Sequence, residues 1–122
     1  MMGIESSDEI KKRLEEIIEK RTDDLLADTA RIISFETVSG GTEEQERKYR
    51  EQIPACFEWL AAKAEEFGFR FQQWDNRVGE IEWPAESSDG KSSLKSVGIA
   101  SHIDVVTPVG SWKHGPFEGK ID

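Results

Sequence analysis

His102 and Asp104 are the two side chains of this sequence best spaced to do chemistry together. They stand two residues apart at the end of an apolar run that predicts a strand, where side chains at i and i+2 share one face. The carboxylate is thereby placed beside the imidazole. A metal-bound histidine commonly gives its second ring N–H to a carboxylate or carbonyl, which fixes the tautomer and raises the basicity of the ligating nitrogen. In α/β folds the C-terminal ends of strands are the usual place for such groups. A His-x-Asp tripeptide also arises by chance, so on spacing alone a surface or hydrogen-bonded structural histidine stays open as the alternative.

The remaining reactive residues have plainer readings. His114, the only other histidine, stands in a loop and reads as solvated. Cys56 lies between Ala55 and Phe57 in a helical pattern and reads as a small core residue rather than a nucleophile. Glu36 fits a helix end, and Glu80 and Glu82 fit the solvent face of a strand, so none is assigned as a general base. Ser39-Gly40-Gly41-Thr42 has no strand before it and no lysine after it, which excludes a phosphate-binding loop.

The elements that must position His102 and Asp104 follow from periodicity and turn chemistry. Ser6-Ser7-Asp8-Glu9 has the form of a capping box, with Ser6 as N-cap and Glu9 three residues on. Ile10, Leu14, Ile17 and Ile18, continued with drift by Leu25, Leu26, Ile32 and Ile33, predict one long amphipathic helix packing a face on a core. Ser39-Gly40-Gly41 stops it. Thr42-Glu43-Glu44-Gln45 is a second capping box, and Tyr49, Ile53, Phe57, Leu60 and Ala64 share a face of a second helix. Pro54 predicts a kink there or two abutting helices, and Gly68 ends the helix as a C′ residue. Alternation then predicts a strand from Phe69 to Gln73, a turn at Asp75-Asn76, and a second strand from Val78 to Trp83. A turn follows at Ser87-Ser88-Asp89-Gly90-Lys91, then a third strand from Ser96 to Asp104. Two N-terminal helices followed by strands of a mixed sheet make an α/β layered fold.

Composition narrows the function classes. A chain of 122 residues suits one domain. Its formal charge of -9 speaks against nucleic acid and against an anionic membrane, since both call for clustered Lys and Arg. A single cysteine rules out an internal disulfide and fits a reducing, cytoplasmic setting. Met1-Met2-Gly3 leads into a charged segment, so no signal peptide is expected, and no run approaches the ~20 apolar residues of a membrane span.

One stretch is more specific. Ser101-His102-Ile103-Asp104-Val105-Val106, then Gly110, Trp112 and Pro116-Phe117, resembles a signature of the zinc peptidases and deacylases of peptidase family M-twenty. That signature runs His-x-Asp-Val-Val-Pro, then Gly, Trp and Pro-Phe at similar spacing. Relatives in the family include succinyl-diaminopimelate desuccinylase and acetylornithine deacetylase. Thr107 departs from it, standing where proline follows the two valines, with Pro108 one later. Asp75-Asn76-Arg77-Val78-Gly79-Glu80-Ile81-Glu82-Trp83 is similar to the dipeptidase V branch, as are the long N-terminal helix and Phe35-Glu36-Thr37-Val38-Ser39.

The resemblance implies a dipeptidase using two zinc ions and a metal-activated water on short peptides. By it His102 is a zinc ligand, and Asp104 orients His102. The bridging aspartate, the general-base glutamate and the other ligands fall beyond the residues present. Residues 1–122 are then the incomplete N-terminal part of the catalytic domain, with nothing of the lid-like domain found in relatives. A catalytic zinc takes about three protein ligands and an open position, so the chain alone is expected to bind zinc weakly and to hydrolyse nothing. Two alternatives stand: an N-acyl amino acid deacylase of the same family, and a non-catalytic truncated or interaction domain. Trp112 and Phe117 are expected to pack the loop over the sheet.

Overall fold

The computed structural model describes residues 6–84 and 95–121. Along the chain come α1 (Ser7–Lys20), α2 (Thr22–Ile33), α3 (Glu43–Glu66), β1 (Arg70–Trp74) and β2 (Val78–Glu82). The expected turn at Ser87–Lys91 lies outside the described residues. The helices and strands are those of an α/β chain, with three helices where periodicity predicts two. The chain divides into two compact units, Met1–Ser34 with Trp112–Asp122, and Phe35–Ser111.

In the first unit the capping box at Ser6 forms as its sequence requires. Glu9 N–H donates to Ser6 Oγ at 3.3 Å, and Ser6 N–H donates to Glu9 Oε2 at 2.8 Å. These bonds satisfy helix-end groups that the backbone ladder leaves open. The predicted long helix is interrupted at Arg21, which leaves helical geometry and separates α1 from α2. The drift in the apolar stripe is the sequence trace of that break. The expectation that this stripe packs on a core does not hold among the described residues. Neither helix buries a side chain, and Leu14, Ile18 and Leu25 are 53%, 61% and 62% exposed. Beside α2, Gly119 has φ +59, and a Cβ on it would stand 2.5 Å from the Ala30 carbonyl oxygen. Only a residue without a side chain fits there.

The second unit holds the core: Phe35, Val38, Ile53, Cys56, Phe57 and Ala64. Cys56 is 1% exposed and packs as the small residue its setting predicts. α3 starts at a capping box, with Gln45 N–H on Thr42 Oγ1 and Thr42 N–H on Gln45 Oε1. It runs unbroken through Pro54, where two abutting helices were one of the two expectations. Proline removes one ladder bond, to Arg50. Burial of Ile53, Cys56 and Phe57 around it fixes both flanks of the lost bond. The helix ends in a Schellman motif: Phe69 N–H reaches Ala64 O at 2.8 Å and Gly68 N–H reaches Glu65 O at 2.9 Å. Gly68 takes φ +72, as a C′ residue must.

β1 and β2 pair antiparallel, Phe71 opposite Ile81 and Trp74 opposite Val78. Asp75 and Asn76 both have φ +51, the twist that suits a tight hairpin, and Arg77 N–H closes the turn on Trp74 O. Alternation puts Phe69, Phe71, Ile81 and Trp83 on one face. Phe71 meets Phe57 of α3 with ring centroids 6.3 Å apart. The other face carries Glu80 and the Arg70–Glu82 pair at 3.3 Å, in keeping with the solvent-face reading of both glutamates.

The expected third strand is corrected. Residues 95–104 form no ladder, and Val97 and Ile99 are 92% and 95% exposed. A strand needs a neighbouring strand for its N–H and C=O groups, and the described residues give this segment no backbone ladder. One parallel bridge, Val38 to Val105, follows it. Among the described residues the ladder is an antiparallel hairpin, with a single parallel bridge between Val38 and Val105.

Candidate functional site

Residues 35–39 form a strap that fastens the His102-x-Asp104 segment from one side. Phe35 and Val38 are buried and anchor it, with the Phe35 ring 6.2 Å from that of Trp59 on α3. Glu36 is ion-paired to Lys48 of α3 at 2.7 Å. Between these anchors, Val105 N–H donates to Thr37 O at 2.9 Å and Ser39 N–H donates to Val105 O at 3.0 Å. Two hydroxyls complete the attachment. Thr37 Oγ1, on a residue only 3% exposed, donates to Ile103 O at 2.6 Å, and Ser39 Oγ donates to Asp104 Oδ2 at 2.7 Å.

The structure brings His102 and Asp104 together without the strand that predicted it. His102 Nδ1 lies 2.8 Å from the Asp104 carbonyl oxygen and 3.3 Å from Asp104 Oδ1. Both neighbours are acceptors, so in the neutral ring hydrogen on Nδ1 is favoured, which leaves the lone pair on Nε2. The imidazole is 81% exposed and the carboxylate 46%. The Asp104 carboxyl is held below the ordinary aspartate range, chiefly by the Ser39 hydroxyl that donates to it. Partial burial opposes that shift and the nearby His102 adds to it. Asp104 therefore stays ionised and stands as an acceptor beside the ring.

A cavity of about 240 Å³ adjoins the pair, walled by Tyr49, Ile53, Phe57 and Phe71, with His102 and Asp104 in its lining. Most of those walls belong to the helix–hairpin core. The other sequence candidates are not among its lining residues. Cys56 is buried, and Glu36 is taken up by Lys48. His114 is half-buried and belongs to the other unit, which departs from its solvated reading. Trp112 and Phe117 also belong to that unit rather than to the one with the hairpin, and Trp112 is 58% exposed. Among the described residues no three His, Cys, Asp or Glu side chains gather in a way that could hold a metal ion. None of the described helices is long and apolar enough to cross a membrane.

Thr37 and Ser39 escaped the sequence reading as site residues. Their partners stand 66 and 65 positions away, and a lone hydroxyl carries no periodic signal. The only trace was their place in a segment similar to the start of the dipeptidase V branch.

Comparison with known proteins gives one informative match. The chain is 31% identical over 107 residues to the "Putative dipeptidase YtjP" of Bacillus subtilis (strain 168). The aligned part takes in 87% of this chain and 21% of that protein, so the chain spans about a fifth of its relative's length. No family model matches the chain, and no solved structure matches it. The match is consistent with a dipeptidase-like family.

Proposed function

We propose that this chain is the N-terminal segment of a zinc-dependent dipeptidase of the M-twenty type and supplies His102 as one zinc ligand. The observation that carries this is the His102–Asp104 arrangement: Nδ1 is held by the carbonyl and carboxylate of Asp104, and Nε2 is left as the coordinating atom. A ligating histidine needs that preparation. The match to a dipeptidase-named protein supports the peptidase part of the reading. The donor chemistry fits zinc, which takes imidazole nitrogen, but one nitrogen is one ligand of a set of about three or four. The remaining ligands, a second zinc and the general base would come from residues beyond this segment. When bound, zinc would polarise a peptide carbonyl and activate water. What this chain's residues do is narrower: His102 binds, Asp104 fixes the ring and its tautomer, and the strap fixes Asp104. The substrate would be a short peptide. The net charge of -9 disfavours nucleic acid as a partner.

A second reading, a non-catalytic domain, draws on the absence of a three-ligand group among the described residues. Hydrolysis of a dipeptide by the zinc-loaded protein that carries this segment in its natural reading frame separates the two. The dipeptidase reading expects activity that His102→Ala removes. Activity unchanged in His102→Ala, or no activity under any metal, counts against it.

A further inference from the structure

We infer that Ser39 is a positioning residue for His102, acting through Asp104: its hydroxyl holds one carboxylate oxygen so that the other faces the ring nitrogen Nδ1.

Three observations converge on Ser39. Its Oγ donates to Asp104 Oδ2 at 2.7 Å, which leaves Oδ1 of the same carboxylate for His102 Nδ1 at 3.3 Å. Its own N–H donates to Val105 O at 3.0 Å, so the main chain directly after Asp104 is held by the same residue. The Asp104 carbonyl, 2.8 Å from Nδ1, belongs to that held stretch. Ser39 thus holds the carboxylate directly, while the peptide that carries the Asp104 carbonyl is held through Val105 N–H on Thr37 O. The residue is itself fixed, because Val38 beside it is 2% exposed and Thr37 is tied to Ile103.

The geometry needs such a brace. The imidazole is 81% exposed and no ladder holds residues 95–104. An exposed aspartate on an unpaired segment would rotate among staggered positions and present its oxygens to the ring for only part of the time. The Ser39 hydroxyl on Oδ2, with the Ser39 N–H on the Val105 carbonyl beside it, restricts that rotation. The neutral ring then prefers the tautomer with hydrogen on Nδ1 and the lone pair on Nε2. Glu36 and Lys48 engage each other at 2.7 Å rather than this carboxylate.

The inference rests on the proposed role of His102 for its purpose, but its test needs no metal. Nitrogen chemical shifts of the ring in the metal-free chain, measured at about pH 8 where a histidine is neutral, report the tautomer directly. The wild type should show the Nδ1–H form in excess. Ser39→Ala should shift the ratio toward the Nε2–H form by about two- to twelvefold, the range expected for loss of a hydrogen bond of ordinary net strength. Ser39→Thr, which restores a hydroxyl, should return it. In an Asp104→Ala background the same Ser39→Ala change should have no further effect, because the side chain through which Ser39 acts is gone. Should Ser39→Ala lose its fold by amide spectra, Ser39→Gly removes the same hydroxyl and is read in its place. An unchanged ratio in a folded Ser39→Ala or Ser39→Gly chain overturns the inference. So does an equal shift in the Asp104→Ala background. Zinc binding that ignores His102 would defeat the dipeptidase reading and leave the tautomer result standing, so the two failures are distinguishable.

Discussion

Thr37→Val removes one donor from the strap at almost constant volume. Thr37 is 3% exposed, and its Oγ1 donates to the Ile103 carbonyl at 2.6 Å. Valine fills the same space but leaves that carbonyl without its partner. A typical intramolecular hydrogen bond contributes a net ~0.5–1.5 kcal/mol, and a buried group left unsatisfied costs ~1–3 kcal/mol. Ile103 is half-buried, so water reaches its carbonyl in part and the lower range applies. The expected loss is ~1 kcal/mol, about fivefold in the ratio of folded to unfolded chain. Urea unfolding followed by circular dichroism measures it, provided the slope with denaturant is unchanged. The loss should be local as well as global. The Val105 amide, bonded to Thr37 O at 2.9 Å, should exchange its hydrogen faster than amides of α3 do relative to wild type. A Thr37→Val chain as stable as wild type, with unchanged protection at Val105, would refute the view that this hydroxyl fastens the His102 segment.

Other perturbations probe the rest of the structure. Phe57→Ala removes a ring that is 6% exposed and packed on Phe71, so it should cost ~3–5 kcal/mol and abolish a cooperative unfolding transition in circular dichroism. Gly119→Ala should destabilise by at least ~1 kcal/mol, because φ +59 and the Ala30 carbonyl at 2.5 Å both oppose a side chain; thermal melting checks it. At the start of α1 the Glu9 carboxyl is held below its ordinary range by bonds from the Ser6 backbone and side chain. A depressed folded pKa means that this capping contribution is fully present above the unfolded value, ~4.3, and is lost as pH falls through the lower folded value. Amide exchange at Ser6 should therefore rise across that acid range, and Glu9→Gln should remove the pH dependence. The exposed Leu14, Ile18 and Leu25 together with Val97 and Ile99 should make the isolated chain self-associate; a monomeric species in sedimentation at high concentration would contradict this.

Local chemistry was legible in the sequence to the residue. Both capping boxes, the Gly68 terminus and the Asp75-Asn76 turn are set by hydrogen bonds spanning three to five positions, and each formed as its residues dictate. Periodicity succeeded where one face meets a partner, as in α3 against β1. It failed where packing decides. The stripe from Ile10 to Ile33 predicts burial that the described residues do not supply, and its drift was a break at Arg21. The apolar content of residues 96–104 signals a strand, but a strand is completed by its neighbours, and those are not among the described residues. At the site, the adjacency of His102 and Asp104 needed only two intervening bonds in sequence. The Thr37 and Ser39 contacts span more than sixty residues and follow from the tertiary fold alone.

In the proposed reading His102 is a zinc ligand prepared by Asp104, with no three-ligand group around it among the described residues. Calorimetric titration of the isolated chain with zinc, beside its His102→Ala variant, tests it most directly. The expected result is weak binding, lost in His102→Ala, with no dipeptide hydrolysis in the same sample. Tight stoichiometric binding, or binding unaffected by His102→Ala, would contradict it.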